Sequence, residues 1–179
     1  MNRRLFCSNL IAGPVALASV TPGHSQKLRP TSSQTRKPHQ LLFAAEALHD
    51  LHISMDRGDW SRLCANVLAN DYYPAALSMN GTALPEIRVR ARGRSSRNAR
   101  KPGLRVDLEA GGKKSAIPAV AGFVLNNLVS DATLLHDWLA MKVFRKAGIS
   151  APRRSFARLF VNNEYGGVYS LGEEIGGSF

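Results

Sequence analysis

Residues 87–94 read Ile-Arg-Val-Arg-Ala-Arg-Gly-Arg, and Ser95-Ser96 follow at once. Successive side chains of a strand point to opposite faces. A strand here turns Ile87, Val89 and Ala91 to a core and Arg88, Arg90, Arg92 and Arg94 to the other side. Four guanidiniums on one strand face repel one another unless water or an anion lies between them, and their forks match phosphate oxygens. The loop that follows has one glycine and two hydroxyls. That composition lets backbone N–H groups approach a phosphate. The segment therefore predicts a phosphate-bearing ligand, with a solvated strand face kept soluble by arginine as the plainer alternative.

The charge distribution agrees. The 179-residue chain carries a formal +11, and residues 84–114 hold ten basic against three acidic side chains. An excess concentrated in one stretch favours an anionic ligand over a generally basic surface. At the other end, Arg3-Arg4-Leu5-Phe6 precedes a mildly apolar run, and Gly23 and Ser25 offer a cleavage site before Gln26. Residues 1–25 read as an export signal, with Arg-Arg-x-Phe resembling the twin-arginine type. The product is then expected in the periplasm, outside the cell or on its surface. Gly13 and Pro14 interrupt the run, which is too short to span a bilayer. Cys7 leaves with the signal, so the mature chain keeps Cys64 alone, a structural thiol on a predicted helix.

Residues 26–40, rich in Lys, Arg, Pro, Ser, Thr and Gln, predict a flexible linker, and folded sequence begins near Leu41. Strands are predicted around Leu51–Met55, over residues 72–79, through the arginine stretch, and over 104–108. Asp56 or Asp59 caps a short helix between the first two, and Asn80-Gly81 marks a turn. The clearest helix signal runs over residues 132–147. Asp131 is its N-cap, Leu135, Leu139 and Val143 form an apolar stripe at four-residue spacing, and Gly148 follows its end. Residues 156–161 and 165–171 flank Asn162-Asn163-Glu164 as a hairpin. Antiparallel strands with one long helix predict an α+β domain over residues 41–179. His49 and His52 stand on opposite faces of a strand, so no zinc site is expected there.

Four segments now point to a family. Arg90-Ala91-Arg92-Gly93-Arg94-Ser95-Ser96, Lys101-Pro102-Gly103-Leu104-Arg105-Val106-Asp107-Leu108, Leu125-Asn126-Asn127 with Asp131 and Leu134-Leu135, and Val161-Asn162-Asn163-Glu164-Tyr165-Gly166-Gly167-Val168-Tyr169 with Glu173 or Glu174 and Ile175 occur in that order. The chain resembles the spore coat protein H (CotH) kinase family, secreted or spore-associated atypical protein kinases, from about His49 to Ile175. Arg94, Leu104, Leu108 and His136 depart from its usual residues.

The resemblance implies a protein-kinase-like N-terminal lobe, ATP with Mg²⁺ as cofactors, and phosphorylation of Ser or Thr in protein substrates. Arg92, Gly93, Ser95 and Ser96 would form a substitute phosphate-binding loop, with Arg90 also on the nucleotide. Lys101 or Arg105 would supply the cation on the α- and β-phosphates. Glu173 would stand at the nucleotide side of the segment leading to a second lobe. The family's catalytic and metal-binding carboxylates lie downstream of the hairpin. The expectation is thus of a kinase fragment inactive alone, paired with a missing C-terminal lobe or self-associating. The alternative is a secreted anion-binding or structural coat protein. Nucleic acid is disfavoured, because residues 84–114 hold no aromatic for base stacking.

Overall fold

In the computed structural model, the described residues are 41–112, 114–115 and 117–175. The expected export signal and linker lie outside them. Seven strands form: β1 (Leu48–Ser54), β2 (Tyr73–Met79), β3 (Thr82–Arg92), β4 (Gly103–Asp107), β5 (Gly122–Asn126), β6 (Arg154–Val161) and β7 (Glu164–Glu173). Helix α1 (Arg57–Ala65) separates β1 from β2, and α2 (His136–Lys146) separates β5 from β6. The sheet closes in the order β1-β2-β3-β4-β5-β7-β6, with β6 returning to β1.

This corrects the predicted fold class. The chain does not form a kinase-like N-terminal lobe with an antiparallel sheet and one long helix. It forms a closed mixed barrel with two short helices. The closing pair is parallel, matching Leu48–Ile53 to Phe156–Val161. The physical reason is that β1 and β6 both carry inward apolar faces. Pairing them removes two sheet edges and seals one core. Leu51, Ile53, Val89, Leu104, Phe123, Leu159 and Leu171 fill the interior, each almost wholly buried.

Local chemistry sets the register. Asn80 and Gly81 have φ of 49° and 81°, and Asn162 and Asn163 have 50° and 69°. Both pairs make the tight two-residue hairpin turn whose twist suits antiparallel strands. A bulge at Glu86 (φ 49°) switches the inward parity of β3: Leu84 faces the core before it, and Ile87, Val89 and Ala91 after it. The predicted alternation therefore begins just past the bulge. Asp56 caps α1 by accepting from Asp59 N–H at 3.0 Å. Cys64 lies half-buried on α1 against the core, and burial raises its thiol pKa.

The α2 prediction needs two corrections. Its first turn is not helical over residues 132–135, because Leu134 has φ 62° and the helix starts at His136. Asp131 instead folds the approach, accepting from the backbone N–H of Thr133 and of His136. Nor is the leucine stripe core: Leu135, Leu139 and Val143 are about half exposed. The opposite side meets the barrel. Trp138 donates from Nε1 to the Ala45 carbonyl at 2.6 Å and leans on the Phe156 ring. Strand β5 was not legible as a strand at all.

His49 and His52 do take opposite faces. His52 stacks outside on Phe160, and His49 is buried. The Asn80 carbonyl oxygen accepts from Asp50 N–H, which turns its amide N–H toward His49 Nδ1 at 3.0 Å. His49 Nδ1 must then accept, leaving Nε2–H to donate to the Leu42 carbonyl at 3.0 Å. Burial lowers the His49 pKa below its usual 6.5. The folded state thus binds this proton less readily than the unfolded chain, so stability falls as pH drops below about 6.5. Thermal midpoints measured from pH 8 down to pH 5 should show that decline. His49→Gln should flatten it, whatever its effect on the pH 8 midpoint. An unchanged slope in the variant would remove His49 as the cause.

Candidate functional site

The outer face of β3–β4–β5–β7 is built in rows fixed by register. Arg90 lies opposite Arg105, Arg105 opposite Val124, Val124 opposite Gly172, and Gly172 opposite Arg154. In the next row Arg92 lies opposite Gly103, and Asn126 opposite Ser170. Cations thus flank a floor of glycine and valine. With no side chain at Gly103, Arg92 donates to Asn126 Oδ1 at 2.8 Å. A Cβ at Gly172 would overlap the Arg154 guanidinium. That glycine therefore lets the arginine lie flat across β7.

Tyr72 gathers the exposed end of this face. The guanidinium carbons of Arg88, Arg90 and Arg105 lie 5.0, 5.5 and 5.7 Å from its ring centre. Arg105 also donates to the Tyr72 hydroxyl. An aromatic face attracts cations, which offsets part of their mutual repulsion. Arg88 pairs with Asp107, and Arg105 is held by Glu174, with Nη2 to Oε2 at 2.9 Å. Burial by itself would lower the Arg105 pKa. Glu174 outweighs that, and the net shift is upward.

At the other end the face meets α2. Asp137 Oδ2 accepts from Ser170 Oγ at 2.7 Å and from Asn126 Nδ2 at 3.0 Å. Arg154 Nε stands 3.4 Å from the same oxygen. Only 8% of the Arg154 side chain is exposed, and its Nη1 has no hydrogen-bond partner among the described residues. Burial, followed by the nearby Arg92, depresses the Arg154 pKa, and Asp137 partly compensates. Arg92 is depressed by burial too. Beside this network a cleft of about 340 Å³ is lined by Ser96, Asn126, Asn127, Asp131, His136 and Asp137 among others.

The predicted site residues divide accordingly. Arg90, Arg92 and Arg105 share the outer face, and Ser96 opens on the cleft that Asn126 joins to it. Gly93 (φ 129°) turns the chain out of β3, and Ser95 is exposed on that turn. The loop is fastened from within. Arg97 donates to the Gly93 carbonyl at 2.8 Å, and the buried Asn127 amide reaches the carbonyls of Ser96 and Lys101 at 2.7 and 2.8 Å. Lys101 leaves the arginine face. Its Nζ donates to the Val168 carbonyl at 2.9 Å and sits 5.0 Å over the Tyr169 ring, and burial lowers its pKa. Glu173 also turns away, accepting from Arg153 N–H and Nε at 2.6 and 2.8 Å. Burial tends to raise its pKa, but Arg153 carries it below the usual value. Glu174 is the acid on the arginine face.

Sequence reasoning missed Tyr72, Arg154 and Asp137. Tyr72 was only the start of a strand pattern. The alternation in Arg154-Ser155-Phe156-Ala157 was the available sign that Arg154 faces outward. Among the described residues no three His, Cys, Asp or Glu side chains gather as a metal site. No helix among them is long and apolar enough to cross a membrane.

No curated protein matches the chain significantly. The family model described as CotH kinase protein matches residues 89–179, from the middle of β3 through β7. That span contains Arg90, Arg92, Arg105, Asn126, Asp137 and Arg154, so most of the arginine face comes from the matched half. By that match the chain belongs to the CotH kinase family.

Proposed function

We propose that the arginine face and the adjoining cleft bind the polyphosphate of ATP, and that this chain is the nucleotide-binding part of a CotH-type protein Ser/Thr kinase. The observation that carries the reading is the convergence of three arginines on one face, Arg90 and Arg105 held around Tyr72 and Arg92 across Gly103. Phosphoryl transfer asks the protein chiefly for positioning and charge stabilisation. A row of guanidinium forks supplies both to phosphate oxygens. The donors fit a polyphosphate. A protein-built Mg²⁺ cage does not fit the described residues, because Asp131, Asp137 and Glu174 are each engaged with protein donors and no third ligand joins any pair. Among the described residues this face therefore binds and orients, and no transfer step is assigned to it.

Calorimetric titration with ATP, with and without Mg²⁺, tests the reading against inorganic tripolyphosphate. ATP should bind more tightly than tripolyphosphate. Arg92→Ala and Arg105→Ala should each weaken ATP by about 10- to 100-fold, the worth of a charged hydrogen bond. Lys101→Ala should leave ATP affinity near the parent value, since its ammonium is committed to β7. Indifferent binding of every polyanion, abolished by moderate salt, would instead favour a general anion-binding surface.

A further inference from the structure

A second cleft, of about 390 Å³, lies between α2 and the start of β6. Its floor is apolar, formed by Phe43, Trp138, Met141 and Pro152. Its rim is cationic, with Lys142, Arg145 and Lys146 on the helix and Arg153 and Arg154 across from them. Among the described residues no acidic side chain lines it. Two carboxylates reach the rim from behind, Glu173 on Arg153 and Asp137 on Arg154. Arg145 gives Nη1 to the Ala151 carbonyl. Lys142 rests on the Trp138 ring, its ammonium 4.3 Å from the centre, and Lys146 has no partner among the described residues. Arg154 Nη1 is buried without a hydrogen bond among the described residues. Five cations over an aromatic floor, with two acids between them, are complementary to a ligand both apolar and acidic.

The spacing decides what kind of ligand. Lys142 and Lys146 stand one helical turn apart, about 6 Å, and Arg154 lies on the facing wall. Separated cations suit separated carboxylates better than one compact anion. The barrel has no free strand edge, so a peptide cannot add to it by backbone pairing and must anchor through its side chains. A large aromatic in a pocket ringed by charge is the arrangement that dominates such interfaces. We propose that this cleft docks an acidic peptide segment of a protein partner. One aromatic side chain seats on Phe43, Trp138 and Met141, and flanking carboxylates reach Lys142, Lys146 and Arg154. The inference does not depend on the nucleotide reading: the two sites share only Arg154, and Phe43, Trp138, Met141, Lys142 and Lys146 line this cleft alone.

Fluorescence anisotropy on the full chain, at about 0.15 M salt and without nucleotide, tests it. The probe is a short fluorescein-labelled peptide with a central tryptophan among aspartates and glutamates. Saturable binding is expected. Replacing the tryptophan by alanine should weaken it about tenfold, as should the double variant Lys142→Glu/Lys146→Glu, since tenfold corresponds to loss of one anchoring contact. The control Arg100→Glu/Lys114→Glu makes the same charge change at residues that do not line the cleft and should leave affinity within roughly twofold, since salt screens exposed charges that make no contact with the ligand. Circular dichroism should be unchanged in both double variants, because Lys146, Arg100 and Lys114 are exposed and Lys142 is half-exposed. Equal losses in the two double variants, indifference to the tryptophan, or tighter binding of phenyl phosphate than of the peptide would each overturn the proposal.

Discussion

Asp137→Ala is expected to lower the unfolding free energy by about 3 kcal/mol, the lower end of the cost of stranding one partner of a buried ion pair. Asp137 Oδ2 serves Ser170, Asn126 and Arg154 at once, and Arg154 is among the least exposed charges described. Removing the carboxylate takes away the guanidinium's ion-pair partner under α2 and leaves only the more distant attraction of Glu173, and its Nη1 already lacks a hydrogen bond among the described residues. It also removes an acid from the first turn of α2, where the helix dipole favours one. Urea unfolding of Asp137→Ala, Arg154→Met and the double variant separates these effects. The double variant should recover more than half of the loss, because an apolar side chain of similar length replaces the stranded cation. A loss from Asp137→Ala that Arg154→Met leaves untouched would show that the helix terminus, not the pair, holds α2 down.

Gly122→Ala is expected to cost about as much, near 3 kcal/mol, the upper range for forcing atoms into a filled site. Gly122 pairs with Asp107 at the start of β5, and a Cβ there would stand 2.5 Å from the Val106 carbonyl oxygen. That oxygen belongs to strand backbone and cannot swing away as a side chain can. Gly166→Ala is the comparison. Its Cβ would meet its nearest atom, the Leu159 carbonyl oxygen, at 3.5 Å, an ordinary contact. It should be neutral or slightly stabilising, since a strand glycine carries extra backbone entropy in the unfolded chain. Urea midpoints of the two variants read the difference. Similar midpoints would mean that β5 can move off β4 at little cost.

Much of the barrel wall was legible because its signals are local. The alternation in 87–92 and 104–107 names the inward residues correctly, and the Asn80-Gly81 and Asn162-Asn163 pairs mark their turns. Strand β5 was not, because Gly-Phe-Val-Leu-Asn is buried on nearly every residue and shows no alternation. The leucine stripe of α2 misled for the opposite reason. Its periodicity is real, but the helix is pinned to the barrel through Trp138 and Asp137, and this turns Leu135, Leu139 and Val143 outward. Periodicity shows that a helix has an apolar face, not which face meets the protein.

The site divides in the same way. Alternation along β3 is enough to place Arg88, Arg90 and Arg92 on one face. Nothing in the order of residues says that Arg105 joins them while Lys101 turns to Val168, or that Arg154 and Asp137, far along the chain, close the end of that face. Glu173 and Glu174 are adjacent in sequence, yet one serves Arg153 and the other Arg105, because the extended alternation of β7 carries past its last residue, Glu173, and turns Glu174 to the opposite side.

By itself the sequence determined six of the seven strands, the inward side chains of β3 and β4, and the family to which the chain belongs, since those depend on near neighbours and on motif order. Barrel closure, the orientation of α2 and the partners of each arginine were decided only in three dimensions. They depend on which distant strands pair, and that choice is made by the whole core rather than by any one segment.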